Sequence, residues 1–344
     1  MFLRLFIVAF CLTIVCNCYA QEKRFVFAEP KMGSPFQIIF YDTDSFNANK
    51  LAKQSFALVD SLVYIFSDYN DSSELNRLCA TAGKTIEPVS VSPALYDILQ
   101  LSKIAHEKSD GTFDITLGPL TKLWRKARKE KQFPSDSLVK EKLRLTGFSK
   151  IKIDTVTKKV MLLQMGMQLD LGGIAQGYIA QKVIDFLRSK NINTALVDVS
   201  GDIVACGTPP ATNGWSIGIN IPEHENEMLH RHLSICNKAV TTSGDVYQFM
   251  EHDGKHYSHL IDPQTGYGIT TQKNVTVIAS DGTTADWLTK ACSILSIRKA
   301  KKLAHSCKAE LLIGTLKKGE PVFLSTKGFK KYWNRDKANR NAFP

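Results

Sequence analysis

Apolar residues recur along the chain at two spacings, which separate the predicted helices from the predicted strands. A spacing of three and four positions runs through residues 48–66 and again through residues 95–105, as is typical of amphipathic helices. Asp44 or Ser45 is placed to cap the first helix, and Ser92-Pro93 supplies an N-cap and a first-turn proline for the second. The sequence therefore predicts two capped helices that each bury one apolar face.

Shorter patterned segments fill the rest of the chain. Further helices are predicted at residues 118–130 and 135–146, from the turn at Gly172-Gly173 to about residue 190, and at 283–295. Strands, in which apolar and polar residues alternate, are predicted within 25–41 and 151–163 and at 168–171, 195–199, 203–206, 215–221 and 275–279.

Helices and strands are interspersed without a regular strand–helix–strand repeat, and no linker rich in Gly, Ser or Pro divides the chain. The 344 residues are 44% hydrophobic and 22% charged, which excludes a disordered, collagen-like or coiled-coil protein. The length allows one large domain or two ordinary ones. We predict a single compact domain of the α+β (mixed α/β) class over residues 21–330, with central mixed sheets flanked by helices.

The first twenty residues have a pattern of their own. Arg4 precedes an apolar run at Leu5–Val15. Cys18-Tyr19-Ala20 follows as a cleavage site with small residues at its first and third positions. This arrangement predicts a secretory signal peptide at residues 1–20. The apolar run is shorter than the roughly 20 residues that span a bilayer. An uncleaved anchor and a lipid-modified cysteine stay open as alternatives, and we expect an exported protein.

Basic residues are concentrated at the C-terminus. Residues 298–344 hold 13 Lys and Arg against three acidic residues, whereas the other 297 residues hold 31 basic and 30 acidic groups. The net charge of +11 is therefore located almost entirely in the C-terminal segment. We treat its last part, residues 331–344, as a basic tail. For an exported protein a solvated or membrane-facing surface is the simpler interpretation, and no nucleic-acid partner is expected.

Five cysteines follow the predicted signal peptide. Their odd number, wide spacing and lack of a C-x-x-C motif argue against a disulfide framework or a zinc site. We expect single buried thiols at Cys79, Cys206, Cys236, Cys292 and Cys307.

Four polar turns that contain glycine interrupt the apolar segments, and such loops often carry function. The turn at Gly172-Gly173 is the best candidate for binding phosphate, because it leads into the N-terminus of a helix. A tight turn without a ligand is the alternative. The four turns are Gly111–Asp114, Asp170–Gly177, Thr241–Asp245 and His259–Gly266.

Three side chains near these turns are candidates for catalysis or metal binding. Asp286 and Lys290 lie one helical turn apart, so the carboxylate either holds a divalent metal or forms an ordinary helix ion pair worth ~0.2–0.5 kcal/mol. His259 either moves a proton near neutral pH or is a structural histidine. Ser243 lacks the Gly-x-Ser-x-Gly pattern of a nucleophile elbow.

Taken together and in this order, eight short motifs resemble the FAD:protein FMN transferases, the ApbE-like flavin transferases. The resemblance extends from about Met32 to about Leu295. The motifs are Met32-Gly33-Ser34, Ser67-x-Tyr69 with Ser73-Glu74-Leu75, Gly111-x-Phe113-Asp114-Ile115-Thr116, Asp170-Leu171-Gly172-Gly173-Ile174-Ala175 with Gly177-Tyr178, Ser200-Gly201-Asp202, Thr242-Ser243-Gly244-Asp245, His259-x-Ile261-Asp262-Pro263-x-Thr265-Gly266 and Ala285-Asp286-x-Leu288.

This resemblance implies a periplasmic, Mg²⁺-dependent enzyme that cleaves the FAD pyrophosphate. The enzyme attaches FMN to a Ser or Thr hydroxyl of an acceptor protein through a phosphoester and releases AMP. By resemblance, Asp286 and the carbonyl group of Gly173 hold the metal, and His259 and Asp286 are the catalytic residues. The residues expected to line the FAD site are Met32, Tyr69, Thr112, Phe113, Asp114, Asp170, Gln176 and Ile261.

The sequence departs from the family pattern at two positions. Lys290 stands where the family usually has a threonine that binds the metal, and Gln176 stands where it commonly has lysine. Lys290 therefore points away, partly replaces the cation, or weakens the metal site. Two further functions stay open: hydrolysis of FAD to FMN and AMP, and flavin binding without catalysis.

Overall fold

The computed structural model of the chain describes residues 21–219, 231–243, 249–317 and 320–334. Four predictions therefore fall wholly or partly outside the described residues. They are the signal peptide at 1–20, the end of the strand at 215–221, the last two residues of the Thr241–Asp245 turn, and the basic tail beyond residue 334.

Eight α-helices lie in the described part of the chain, and side-chain caps fix the start of several of them. Asp44 accepts hydrogen bonds from the backbone N–H groups of Phe46 and Asn47, and Ser92 accepts one from Leu95, as the sequence predicts. The helices are α1 (Ser45–Phe66), α2 (Glu74–Ala80), α3 (Pro93–Lys108), α4 (Gly118–Glu130), α5 (Asp136–Leu143), α6 (Ala175–Ser189), α7 (Gly282–Ile294) and α8 (Ile297–Ser306).

The strands of the described residues are short, and most of them are paired in one large sheet. They are β1 (Lys23–Lys31), β2 (Ser34–Asp42), β3 (Val89–Ser90), β4 (Ile151–Ile153), β5 (Lys159–Leu162), β6 (Ala195–Val199), β7 (Asp202–Cys206), β8 (Trp215–Ile217), β9 (Leu233–Ile235), β10 (Lys238–Ser243), β11 (Phe249–His252), β12 (Lys255–Ser258), β13 (Asn274–Ala279), β14 (Glu310–Lys317) and β15 (Glu320–Ser325).

The large sheet has eight strands in the order β1-β2-β6-β7-β10-β13-β14-β15. Strands β3, β5 and β4 form a second sheet, and the pairs β8-β9 and β11-β12 complete the set. Every named pair is antiparallel, where the sequence analysis expected mixed sheets. The α+β class is confirmed.

Alternation along the strands of the large sheet gives it two buried faces. Val275 and Val277 of β13 pack with the main helices, whereas Ile278 packs with the β8-β9 pair and a 3₁₀ helix at Lys327–Tyr332. The large sheet is therefore the middle of three layers. Trp333 forms an isolated bridge to Leu233, so the chain stays packed on this layer beyond the 3₁₀ helix.

Two differences separate the observed elements from the predicted ones. Residues 168–171 are not a strand, although Leu169 and Leu171 are buried in alternation. Several elements are present without having been predicted: the helices α2 and α8 and the strands β3, β9, β10, β11, β12, β14 and β15. Among the described residues all five predicted thiols are unpaired, and Cys79, Cys206 and Cys292 are buried, whereas Cys236 is exposed.

Candidate functional site

A cavity of about 990 Å³ lies at one end of the strands of the large sheet. The β1–β2 turn, the β6–β7 turn, the end of β10 and the start of β13 all reach this edge because neighbouring strands are antiparallel. The ends of the helices close the other side. Ten of the eleven residues predicted for the site line the cavity: Met32, Tyr69, Thr112, Phe113, Asp114, Asp170, Gly173, Gln176, His259 and Ile261.

Asp286 is the predicted residue that does not line the cavity. Its side chain is fully buried, one helical turn before Lys290, which does line it. The structure therefore places ten predicted residues on one cavity and Asp286 beneath its wall.

Two hairpin turns bring backbone to the cavity in an uncommon conformation. Met32 and Ser200 have φ angles of 53°, and each is followed by a glycine with positive φ, Gly33 or Gly201. Two successive residues with positive φ form the tight turn that suits the twist of a hairpin. These turns hold Met32 and Ser200 at the cavity edge on a short, rigid connection.

An aromatic ring and a guanidinium group form one wall. The Tyr69 side chain is 78% exposed, and its ring centroid lies 4.3 Å from the Arg125 guanidinium carbon. Arg125 is held by an ion pair to Asp68 and by another to Asp170, whose Oδ2 lies 3.2 Å from Arg125 Nη2. Burial, and then the charge of Asp170, raise the pKa of Asp68. Arg125 was not predicted as a site residue, because the pattern of the α4 segment does not indicate which of its basic residues face the cavity.

The loop that carries Thr112, Phe113 and Asp114 is fixed from several sides. Asp114 Oδ1 accepts a hydrogen bond of 2.8 Å from the Thr116 backbone, and burial raises the pKa of Asp114. The Phe113 ring is nearly buried, and its centroid lies 6.1 Å from that of Trp287. The cavity wall here is preorganised.

The Gly172-Gly173 loop leads into α6 as the sequence predicts. Asp170 Oδ1 accepts the Gly172 N–H at 2.8 Å, so that donor is used within the loop. A Cβ atom on Gly173 would lie 3.2 Å from Phe113 Cε2 and 3.3 Å from Lys290 Cγ, so glycine allows this close packing. Ile174, at the start of α6, makes no side-chain capping bond, while the Ala175 N–H donates to the Leu171 carbonyl oxygen and the Gly177 N–H donates to Asp286. The Gly173 and Gln176 N–H groups are left to bind an anion from the cavity.

Lys290 and two carboxylates form a charged group at the base of the cavity. Asp286 Oδ1 lies 2.7 Å from Lys290 Nζ, and Asp286 Oδ2 accepts the Gly177 N–H at 2.9 Å. The Lys290 side chain is 19% exposed, whereas that of Asp286 is 0% exposed. Burial, and then the charge of Asp286, raise the pKa of Asp202 to about 7.

Burial lowers the pKa of Lys290, but the charges of Asp286 and Asp202 outweigh this effect, and the pKa is raised. Lys290 is therefore an ammonium ion at neutral pH. Asp202 was predicted only as part of a motif, and its proximity to this ion was not. Thr289 cannot substitute for the threonine usual at position 290, because its hydroxyl donates to the Asp286 carbonyl oxygen at 2.6 Å.

His259 lines the cavity from the loop that follows β12. Its neighbour Ile261 forms an isolated bridge with Gly268, and Trp124 Nε1 donates to the Gly266 carbonyl oxygen at 2.9 Å. These contacts fix the two ends of the loop. They hold the imidazole at the cavity wall, where it can reach a ligand.

Comparisons with known proteins show which family the chain resembles. The model of the ApbE family matches residues 32–313. The FAD:protein FMN transferase of Klebsiella pneumoniae (strain 342) is 32% identical over 290 residues, covering 81% of this chain and 88% of that protein. The FAD:protein FMN transferase of Treponema pallidum (strain Nichols) is 31% identical over 300 residues, covering 83% of this chain and 82% of that protein.

Solved structures show the same fold. The apo form of the flavinyl transferase ApbE from Pseudomonas stutzeri has a TM-score of 0.80 and 28% identity, covering 91% of this chain and 97% of that chain. The ApbE protein from Thermotoga maritima has a TM-score of 0.80 and 27% identity, covering 90% of this chain and 99% of that chain.

Proposed function

The chain belongs to the ApbE family, and from this premise we propose that it is an FAD:protein FMN transferase. It transfers FMN from FAD to a Ser or Thr hydroxyl of an acceptor protein and releases AMP. One observation supports this function above the others: the residues predicted to bind FAD converge on one cavity of about 990 Å³. A cavity of this size is at the upper end of those that bind small molecules and cofactors.

The transfer exchanges one phosphorus–oxygen bond for another. The acceptor oxygen attacks the FMN-side phosphorus, the bond from that phosphorus to the bridging oxygen breaks, and AMP leaves with the bridging oxygen. The hydroxyl proton passes to a base. The protein must therefore align the two oxygens, hold the negative charge of the diphosphate and accept a proton.

The cavity has a group for each of these tasks. The backbone N–H groups of Gly173 and Gln176, at the start of α6, can donate to the diphosphate. Among the described residues that line the cavity there is one histidine, His259, and its imidazole accepts the hydroxyl proton. Tyr69 and Met32 offer surfaces on which the flat rings of FAD pack.

The described residues do not fit the Mg²⁺ ion that the family resemblance implies. Magnesium needs near-octahedral oxygen ligands, but the two oxygens of Asp286 already face Lys290 Nζ and the Gly177 N–H. No group of three or more His, Cys, Asp or Glu residues suited to a metal occurs among the described residues. The Gly173 carbonyl alone does not make a site, so no step of the transfer is derived through a metal.

Export to the periplasm is part of the same proposal and rests on the signal-peptide pattern of residues 1–20. None of the helices in the described residues has the length and apolarity needed to cross a bilayer. Four basic residues of α8, Arg298, Lys299, Lys301 and Lys302, support association with an anionic membrane surface.

A transfer assay tests the function directly. The chain from residue 21 is incubated with FAD and a threonine-containing acceptor peptide, with a valine variant of the same peptide as the control. We expect AMP release and a mass gain equal to FMN less water on the threonine peptide alone. AMP without a labelled peptide would indicate hydrolysis, and FAD binding without AMP would indicate a flavin-binding protein.

Tyr69→Ala is expected to weaken FAD binding. The exposed Tyr69 ring, supported by Arg125, offers a stacking surface, and stacking a base on an aromatic side chain is worth about 1–3 kcal/mol, or roughly tenfold or more in Kd. Phe46→Ala is the matched control, because Phe46 is 80% exposed and does not line the cavity. Titration of flavin fluorescence measures both affinities, and equal Kd values for the two variants would contradict a stacking role.

A further inference from the structure

The base of the cavity holds a cation that belongs to the chain itself. We propose that the ammonium group of Lys290 is the resident cation of this site and neutralises the diphosphate of FAD in place of a divalent metal. The inference rests on the proposed function, because it assigns the charge-neutralising role within that reaction. It selects one of the three alternatives that the sequence left open for Lys290.

The first support is the position of the ammonium group. Lys290 Nζ lies 2.7 Å from Asp286 Oδ1, the carboxylate that the resemblance assigns to the metal. A magnesium ion bound to the same oxygen would lie about 2.1 Å from it. Two cations on the same oxygen repel each other, so the ammonium group disfavours a metal at Asp286.

The second support is the difference in burial between the two partners. Asp286 is fully buried and is also held by the Gly177 N–H, whereas the Lys290 side chain reaches the cavity. An ammonium group has three N–H donors. Asp286 Oδ1 forms an ion pair with the ammonium group from one side, and the N–H donors on the cavity side are available to phosphate oxygens.

The third support is the neighbourhood of Lys290. Its Cγ would lie 3.3 Å from a Cβ atom on Gly173, so the lysine packs against the loop that leads into α6. Asp202 and Lys290 line the same cavity. The ammonium group thus lies beside the helix N-terminus that binds the diphosphate, and the two positive features act on the same anion.

The experiment compares the chain in EDTA and in Mg²⁺, with AMP release from FAD as the readout. We expect the unaltered chain to release AMP at the same rate in both solutions. Lys290→Met is expected to slow release by at least about 100-fold in both, as removal of a charge-stabilising group does in other enzymes. Lys290→Thr is expected to be inactive in EDTA and to regain activity with Mg²⁺.

Lys182→Met is the matched control. Lys182 also forms an ion pair with an aspartate, with 3.0 Å between its Nζ and Asp97 Oδ2, but it does not line the cavity. We expect this variant to release AMP like the unaltered chain in both solutions. A similar loss in Lys182→Met and Lys290→Met would contradict a specific role for Lys290.

Failure of the inference and failure of the proposed function give different results. Activity of the unaltered chain in Mg²⁺ but not in EDTA would overturn the inference and leave the function standing. No AMP release in either solution would contradict the function. In that case, calorimetric titration of the FAD-free chain with Mg²⁺ still decides the inference: we expect no saturable binding to the unaltered chain, and saturable binding would overturn it.

Discussion

Asp286→Asn is expected to slow AMP release by at least about 100-fold and to lower the free energy of unfolding by about 3–5 kcal/mol. Asp286 Oδ1 forms an ion pair with Lys290 Nζ, and Asp286 Oδ2 accepts the Gly177 N–H. An asparagine has one oxygen and one NH₂ group, so in either orientation one donor faces another donor. The partly buried ammonium group then lacks its counter-charge. Denaturation in urea measures the stability, and the release of AMP measures the rate.

A double-mutant cycle separates this pair from general damage to the fold. Asp286→Asn and Lys290→Met should each destabilise the protein, since each leaves one charged partner buried without the other. The double variant should lose less stability than the sum of the two, by at least about 1 kcal/mol. Additive losses would show that the two side chains do not interact.

Glu107→Gln tests whether a spacing of four residues between the two charges is enough to explain the effect. Glu107 also pairs with a lysine four residues away, Lys103, but both side chains are about half exposed. Such pairs are worth about 0.2–0.5 kcal/mol, so this variant should be nearly as stable as the unaltered chain. The contrast with Asp286→Asn would show that burial, not spacing, makes the Asp286–Lys290 pair strong.

The difference between a buried and an exposed ion pair also explains which parts of the site could be predicted from the sequence. The motifs identified ten residues that line one cavity, because short polar turns at the ends of strands retain recognisable patterns. They left the role of Lys290 open, because an Asp and a Lys four residues apart look alike whether the helix face is exposed or buried. Burial depends on residues far along the chain, such as Gly177, and so needs the fold.

The fold itself was predictable where local chemistry decides it. The caps of α1 and α3 and the hairpin turns at Gly33 and Gly201 follow from residues within a few positions. The segment at 168–171 was predicted wrongly for a physical reason: Leu169 and Leu171 are buried in one core and alternate with half-buried polar residues, and this pattern does not require a partner strand. The backbone of the segment forms no ladder, and Asp170 N–H donates to the Ile115 carbonyl oxygen at 2.8 Å.

Gly177→Ala is expected to lower the free energy of unfolding by about 3 kcal/mol. A Cβ atom on Gly177 would lie 2.1 Å from the Gly282 carbonyl oxygen and 2.7 Å from Asp286 Cβ. The first contact is with backbone and cannot be relieved by a rotamer change, so α6 must move away from α7. Alanine is the better helix former by about 1 kcal/mol, so a net loss of stability reports the clash.

Gly254→Ala is the control. A Cβ atom on Gly254 would have no neighbour within 4 Å, so the only cost of the substitution is the backbone strain of a φ angle of +70°. That backbone strain costs about 1–2 kcal/mol. Thermal and urea denaturation should therefore place Gly177→Ala clearly below Gly254→Ala. Displacement of α6 also pulls the Gly177 N–H from Asp286, so the Gly177 variant should lose AMP release while the Gly254 variant retains it. Equal stability and activity of the two variants would contradict the idea that the close α6–α7 approach holds Asp286 in place beneath Lys290.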